Sequence, residues 1–354
     1  MDLEKGIRLA EKLAANRKLE EAEYQELIEN RSSASTLLLR EEAVRLRQRI
    51  YENEVFIRGL IEISNYCKND CLYCGIRQSN HTCDRYRLTE KEIVSCADQG
   101  YPLGFRTFVL QGGEDPYFTD DRLESIIRQI KLLHPDCAVT LSMGERSSES
   151  YLRLYQAGAE RYLLRHETAN EAHYRKLHPP EMSFSNRLRC LAELKRIGYQ
   201  TGCGMMVGSP GQTSGCLAQD LKLIERFQPE MCGIGPFIPH PATPFGKEQP
   251  GTAELTCFLL SVIRIISPTV LLPATTALST LKPDGREMGI LSGANVVMPN
   301  LSPVTVRGKY ELYQGKVSSG AESAQHVREL EARMRKIGYK LSVNRGDARK
   351  NGKE

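Results

Sequence analysis

Apolar residues recur at helical spacing through residues 1–50, first as Ile7, Ala10 and Leu13, then as Leu39, Ala43, Leu46 and Ile50 at i, i+4, i+7 and i+11. Both sets form the stripe of an amphipathic helix. Beyond Val55 the pattern changes to short β-type runs alternating with helical stretches. The runs are Val55–Ile63, Phe105–Leu110, Ala138–Ser142, Arg161–Arg165, Thr201–Val207, Met231–Phe237, Thr269–Thr275 and Ala294–Met298. Helices announce themselves between them. Thr89 with Glu92 makes a capping box, and Leu123, Ile126, Ile127, Ile130 and Leu133 share one helical face. Leu188–Ile197 stops at Gly198, and Leu255–Ile266 stops near Pro268.

Alternating strand and helix predicts parallel βα units. Eight runs repeating about every 30 residues over some ~250 residues match the count and size of a barrel. The reading is therefore an α/β fold: a (β/α)8 TIM barrel over residues 51–316, with an N-terminal helical extension (1–50) and a C-terminal helical tail (317–354). An open doubly wound sheet is the alternative, and it requires some of the runs to be false. A barrel also locates the chemistry, at the C-terminal ends of its strands.

The first run leads into Cys67-Lys68-Asn69-Asp70-Cys71-Leu72-Tyr73-Cys74, three thiols at C-x3-C-x2-C. Such a loop can close on one face of a cubane iron–sulfur cluster. A cluster that only transfers electrons is usually held by four cysteinates, so three leave one iron open to a small molecule. Zinc is the weaker reading, because its half-sites are typically C-x2-4-C with a second Cys or His pair at a set distance, and the next thiol, Cys83, comes nine residues later. The other eight cysteines are singles and read as mostly buried small apolar residues.

Composition narrows the setting. Hydrophobic residues make up 40% and charged residues 26%, ordinary for a soluble globular chain. The opening Met1-Asp2-Leu3-Glu4-Lys5 begins an amphipathic pattern rather than a leader, and no run of about 18 apolar residues occurs. An odd cysteine total with a clustered trio argues for reduced thiols, so a cytoplasmic protein without a membrane segment is expected. Residues 326–354 carry nine Lys and Arg against four Asp and Glu, while the rest carries 39 against 40. Without interleaved aromatics and glycines to stack bases, this basic stretch reads as a solvated, partly frayed terminus, and no nucleic-acid partner is expected.

Several constellations follow the strands. Gln111-Gly112-Gly113-Glu114-Asp115-Pro116 joins two glycines, which let backbone approach a ligand, to a carboxylate that can pair with a cation. In Arg161-Tyr162-Leu163-Leu164-Arg165-His166-Glu167, period-two alternation puts Arg161, Leu163 and Arg165 on one side. If that side is the barrel interior, both cations need partners, either structural carboxylates or an anionic substrate. His166 reads as a structural histidine rather than a metal ligand. Arg187 begins a helix and suits bidentate carboxylate binding. The exit Gly204-Met205-Met206-Val207-Gly208 suits a flat ring lying on backbone. Thr275, Thr276 and Met298 end strands, and Tyr310 and Tyr313 either close a cavity or pack under the last helix.

The trio with Tyr73 immediately before its last cysteine resembles the radical S-adenosylmethionine (SAM) superfamily. That resemblance implies a 4Fe-4S cluster on Cys67, Cys71 and Cys74, whose open iron is chelated by the amine and carboxylate of SAM and whose electron yields a 5'-deoxyadenosyl radical. It also implies SAM contacts at Tyr73, Gly112, Gly113, Glu114, Ser142, Glu167, Arg187 and Met206. The motifs Gln111–Pro116, Arg161–Asn170, Gly233–His240, Pro273–Ala277, Gly293–Asn300 and Tyr310–Lys316 together resemble the HydE family of FeFe-hydrogenase maturases. This implies a substrate cavity lined by Arg161, Arg165, Thr275, Thr276, Met298, Tyr310 and Tyr313. Its occupant would be a small-molecule or organometallic substrate, with radical chemistry at a sulfur of a cysteine-bound iron carbonyl-cyanide precursor. Implied partners are a ferredoxin- or flavodoxin-type electron donor, a tyrosine-cleaving maturase and a GTPase scaffold. Some family members carry a second, C-terminal cysteine trio. No cysteine follows Cys257 here, so no second C-terminal cluster is expected. Alternatives are a methylornithine synthase-like mutase or a biotin synthase-like enzyme on the same scaffold and, from another class, an iron–sulfur carrier.

Overall fold

A computed structural model describes residues 2–317 and 319–349. Three helices come first, α1 (Leu3–Asn16), α2 (Glu21–Glu29) and α3 (Ser33–Tyr51). The first predicted strand run follows as β1 (Glu54–Ile57) and β2 (Gly59–Ser64), interrupted at Arg58. Next come α4 (Glu90–Gly100), β3 (Thr107–Gly112), α5 (Asp120–Leu133), β4 (Ala138–Ser142), α6 (Ser148–Gln156) and β5 (Ala159–Leu163). The second half runs α7 (Glu171–Leu177), α8 (Phe184–Ile197), β6 (Gln200–Cys203), β7 (Met206–Val207), α9 (Ser214–Phe227), β8 (Met231–Cys232) and β9 (Gly235–Pro236). It closes with α10 (Ala253–Ile266), α11 (Thr276–Leu281), α12 (Gly285–Ile290), β10 (Val296–Val297), α13 (Val304–Arg307), α14 (Val327–Lys336) and β11 (Lys340–Ser342).

Strands β2, β3, β4, β5, β6 and β8 form one parallel sheet in that order. The sheet then closes on itself. Met231 bridges to Leu271, Pro273 bridges to Val296, and β10 pairs with β1 through Phe56↔Val296 and Ile57↔Val297, all parallel. The expected eight-membered ring is present. Its seventh member is reduced to bridges at Leu271 and Pro273, because Pro273 has no N–H to give a ladder. The runs predicted at 201–207 and 231–237 each break in two, and β7 and β9 pair again nearer the mouth. At the break Gly204 has φ +152, and a Cβ there would sit 2.0 Å from the Gly233 carbonyl oxygen, so the two chains approach as only glycine allows.

The predicted helix faces lie inward. Leu123, Ile126, Ile127 and Ile130 of α5 are fully buried, whereas Leu133, its last residue, is half exposed. Nearly all of α10 is buried because the barrel lies on one side and α3 on the other. Helix α2 packs on α9, where Tyr24 Oη donates to Glu225 at 2.7 Å. Helices α1, α2 and α3 thus form a layer on the outside of the barrel.

The C-terminal stretch departs from expectation. Rather than fraying in solvent, β11 pairs with β1 through Glu54↔Lys340, Val55↔Leu341 and Phe56↔Ser342, and the chain after it seals the barrel floor. Arg161 Nη2 donates to the Arg345 carbonyl at 2.9 Å and to Asp347 Oδ1 at 2.7 Å. Thr107 Oγ1 donates to the same carbonyl at 2.7 Å, and Gln200 Nε2 to Asp347 Oδ1 at 2.8 Å. A count of charges reports an excess of cations; it does not report that one of the four carboxylates among them, Asp347, meets a buried arginine. Residues 350–354 of the predicted tail lie outside the described residues. Among the described residues no helix is long and apolar enough to cross a membrane.

Candidate active site

A cavity of about 340 Å³ opens at the C-terminal ends of the strands, with Cys67, Cys71 and Cys74 in its wall. The loop carrying them is fixed from several sides. Asp70 accepts from Arg77 Nε at 2.8 Å and from the Ser79 amide at 2.9 Å. The Lys68 amide donates to the Glu114 carbonyl at 2.9 Å, the Leu72 amide to Leu177 at 2.9 Å and the Gly75 amide to Leu312 at 2.8 Å. Gly113 earns its place by contact: a Cβ there would lie 2.2 Å from the Tyr66 carbonyl oxygen and 2.7 Å from Cys67 Cβ.

All eleven cysteines are free thiols, and apart from the trio and Cys83 they are buried. In the trio, burial pushes each thiol up, with Cys74 reaching about 12 through burial and the neighbouring Cys67. Thiolates here therefore require a cationic group to hold them. Among the described residues no three Cys, His, Asp or Glu side chains converge on a point where one metal ion could sit. Three thiols on one loop facing one cavity are a donor set that a polynuclear iron–sulfur cluster could take, one thiolate to each iron.

The expected SAM contacts line the same cavity: Tyr73, Gly112, Gly113, Glu114, Ser142, Glu167, Arg187 and Met206. Glu114 Oε1 accepts from the Glu145 amide at 3.1 Å, and Lys68 Nζ lies 3.3 Å from its Oε2. Gly144 makes room for that carboxylate, since it has φ +73 and a Cβ would fall 2.0 Å from Glu114 Cγ. Tyr73 is held by its hydroxyl on His178 Nε2 at 3.2 Å. His178 Nδ1 lies 3.0 Å from the Tyr174 carbonyl, and burial with the nearby Arg187 cation lowers its pKa to about 3. The ring is neutral, its Nδ1–H donates, and its Nε2 accepts from Tyr73. Arg187 Nε donates to Glu145 at 2.6 Å and Nη1 to the Arg165 carbonyl at 2.7 Å. Nε and one hydrogen of Nη1 are thus engaged, which leaves Nη2 and the second Nη1 hydrogen, the pair that a bidentate grip on a carboxylate needs.

Glu167 is the strained residue of the site, with φ +65. A non-glycine residue persists there only when its surroundings over-determine it. Its Oε2 lies 3.0 Å from Arg165 Nη2, yet the pair lacks hydrogen-bond geometry, and both atoms are buried without a hydrogen-bond partner. Two opposite charges held close and left unsatisfied are what a polar ligand would complete.

Across the cavity lie Arg165, Thr275, Thr276, Met298, Tyr310 and Tyr313. Thr275 Oγ1 is buried and unpartnered, while Thr276 Oγ1 donates to Glu322 at 2.9 Å. Tyr310 is held well above its usual pKa by burial and by Glu62, so it enters the cavity as a neutral hydroxyl.

Arg161 is the exception among the sequence-predicted residues. It is absent from the cavity wall and fully buried in the floor, with Nη1 on Thr107 at 3.0 Å in addition to its bonds to the tail. Alternation placed it correctly on the interior side. Four residues along a strand span roughly 13 Å, however, so Arg161 and Arg165 reach opposite ends of the barrel.

Sequence reasoning passed over a polar wall. Glu62 is fully buried, forms a short ion pair with Lys316, and accepts from Asn300 Nδ2 at 2.7 Å. Lys316 Nζ also donates to the Tyr310 carbonyl at 3.0 Å. The signal was a single acidic residue in the apolar run Leu60-Ile61-Glu62-Ile63. Gln111, paired beside Glu62 on β3, completes this wall.

Comparison with known proteins bears on what this cavity does. The Radical SAM superfamily profile matches residues 61–224. The FeFe-hydrogenase maturase subunit HydE of Thermotoga maritima is 48% identical over 272 residues, which is 77% of each chain. The 3-methylornithine synthase of Methanosarcina acetivorans is 28% identical over 82% of each chain. Among solved structures, methylornithine synthase (PylB) superposes with TM-score 0.82 at 25% identity, covering 94% of this chain and 97% of that one. The maturase HydG from Carboxydothermus hydrogenoformans gives 0.81 at 20% identity, covering 96% and 80%.

Proposed function

Because the chain belongs to the radical SAM superfamily and, within it, to the family of the HydE maturases, we propose that it is a radical SAM enzyme of FeFe-hydrogenase maturation. Cys67, Cys71 and Cys74 hold a single 4Fe-4S cluster in this reading. When bound, that cluster supplies the electron that splits the sulfonium of SAM and yields a 5'-deoxyadenosyl radical. The protein's own residues do the rest. Glu114 receives the amino group of SAM, Arg187 Nη2 meets its carboxylate, and Glu167 takes a further polar group. Tyr73 is held in the cavity wall by His178, which itself stacks on Tyr174. Arg165 and the unpartnered Thr275 hydroxyl grip an anionic substrate, with Thr276 lining the cavity beside them, each charged hydrogen bond contributing about 1.5–3 kcal/mol.

The carrying observation is a single cavity that runs from the three thiols to Arg165, Thr275 and Met298. Reacting groups at its two ends therefore face one another in a site walled by protein. We assign the substrate as a cysteine-bound iron carbonyl-cyanide precursor attacked at sulfur, with a ferredoxin- or flavodoxin-type donor, a tyrosine-cleaving maturase and a GTPase scaffold as partners in the cytoplasm. The superposition on methylornithine synthase supports a second reading, a radical mutase acting on lysine. Activation of apo-hydrogenase in a defined mixture separates the two. Hydrogenase activity that requires this protein is expected; activation without it, together with conversion of lysine, would replace the maturase reading.

A further inference from the structure

Between Arg165 and Glu167 sits a residue that touches neither cavity nor solvent. His166 is fully buried, as is Asp220 of α9, and His166 Nε2 lies 3.2 Å from Asp220 Oδ1. On its other side His166 Nδ1 accepts from the Gly204 amide at 3.2 Å. That bond fixes the tautomer: the proton is on Nε2 and is donated to Asp220. The same Asp220 oxygen also accepts the Ala169 amide, so one carboxylate oxygen ties together the residues on both sides of Glu167.

The geometry explains how Glu167 is kept in its unfavourable conformation. Its amide donates to the Gly204 carbonyl at 3.0 Å, and its carbonyl accepts from the Met206 amide at 3.3 Å. Gly204 is thus clamped between His166 and Glu167, while Asp220 anchors His166 and Ala169 from the helix behind. A glutamate in the left-handed region is strained, and these buried bonds are what opposes its relaxation. Nothing in the cluster loop contributes to them. We propose that Asp220 and His166 are positioning residues for SAM, acting through the backbone of Glu167 to aim its unsatisfied carboxylate oxygen into the cavity. This rests on Glu167 being a SAM contact, as in the function proposed above.

The test is equilibrium binding of SAM to anaerobically reconstituted protein, followed by the change SAM causes in the EPR spectrum of the reduced cluster, with iron content and thermal unfolding measured beside it. Asp220→Leu removes the acceptor of two buried N–H groups and is expected to weaken SAM binding by about tenfold or more, the scale seen when outer partners of a ligand are lost, with iron content unchanged. Asp220→Asn keeps an accepting oxygen and is expected to restore affinity to within about twofold, which a merely destabilising loss does not explain. Wild-type affinity in Asp220→Leu, or no rescue by Asp220→Asn, overturns the inference. Should Asp220→Leu fail to fold, His166→Gln decides. It keeps the donor to Asp220 but leaves the Gly204 amide without an acceptor, and undiminished SAM binding in that variant is equally fatal. Failure of the wild-type protein itself to bind SAM strikes the proposed function instead.

Discussion

Arg161 and Arg165 stand four residues apart, on the same interior side of one stretch of chain, and their surroundings are opposites. In the floor, Arg161 is tied down by protein: Thr107, the Arg345 carbonyl and Asp347 take two of its nitrogens, and only Nε is left without a hydrogen-bond partner. At the mouth, Arg165 Nη2 and Glu167 Oε2 lie 3.0 Å apart without a hydrogen bond, on a backbone held at φ +65. The floor is built for closure and the mouth for a polar ligand. Stability and function are thereby assigned to different ends of the barrel, as the fold's general division of labour leads one to expect.

That contrast breaks most sharply at the thiols. Cys71→Ala is expected to abolish SAM cleavage while leaving a folded barrel, read by 5'-deoxyadenosine formation beside circular dichroism; cleavage that persists removes the cluster assignment. Next in size is Arg165→Met, expected to lower hydrogenase activation by about 10–100-fold, equivalent to one lost charged hydrogen bond of roughly 1.5–3 kcal/mol. Its unfolding free energy should fall by only about 1 kcal/mol or less, because the ion pair it removes from Glu167 is open to solvent on the Arg165 side. Denaturant titration checks the second half of that statement.

Asp347→Ala should do the reverse. Removing the carboxylate strands a buried guanidinium, which for a fully buried pair costs about 3–5 kcal/mol. Since the Asp347 side chain is 44% exposed, screening reduces the expected loss to roughly 1–3 kcal/mol, with SAM cleavage unchanged. A loss of cleavage equal to the loss of stability would merge the two ends. The smallest effect is the pH dependence of the same pair. Burial raises the Asp347 carboxyl, but Arg161 and Gln200 outweigh it and hold it well below the usual carboxylate range. A depressed carboxylate contributes stability that is fully present above its unfolded pKa of about 4 and fades as pH falls toward the folded value. Acid titration of the parent should therefore show a loss between about pH 4 and lower values that the Asp347→Ala variant lacks.

The site was legible where chemistry is local. Three thiols within eight residues, two glycines before Glu114, and a glutamate two residues after Arg165 all fall on the cavity. The barrel was legible too, since each βα unit carries its own periodicity and caps, such as the Thr89–Glu92 box. Depth along a strand was not. Alternation tells a face from its reverse, and it sent Arg161 and Arg165 to the same side without saying which end each would reach. The basic tail misled for a related reason: a composition count weighs Asp347 as one acid among cations, whereas the fold makes it the partner of a buried arginine.

What the chain decides alone is set by neighbours in sequence: which segments become strand or helix, where helices start and stop, and that three sulfurs share one loop. The tertiary structure decides which distant charges meet. Glu62 finds Lys316 across 254 residues and Arg161 finds Asp347 across 186, while Thr276 gives its hydroxyl to Glu322. The reason is physical. Backbone preferences act over a turn or a pleat, but the cost of burying a charge is met only by whatever partner the closed barrel brings within about 3 Å, and no local pattern encodes that meeting.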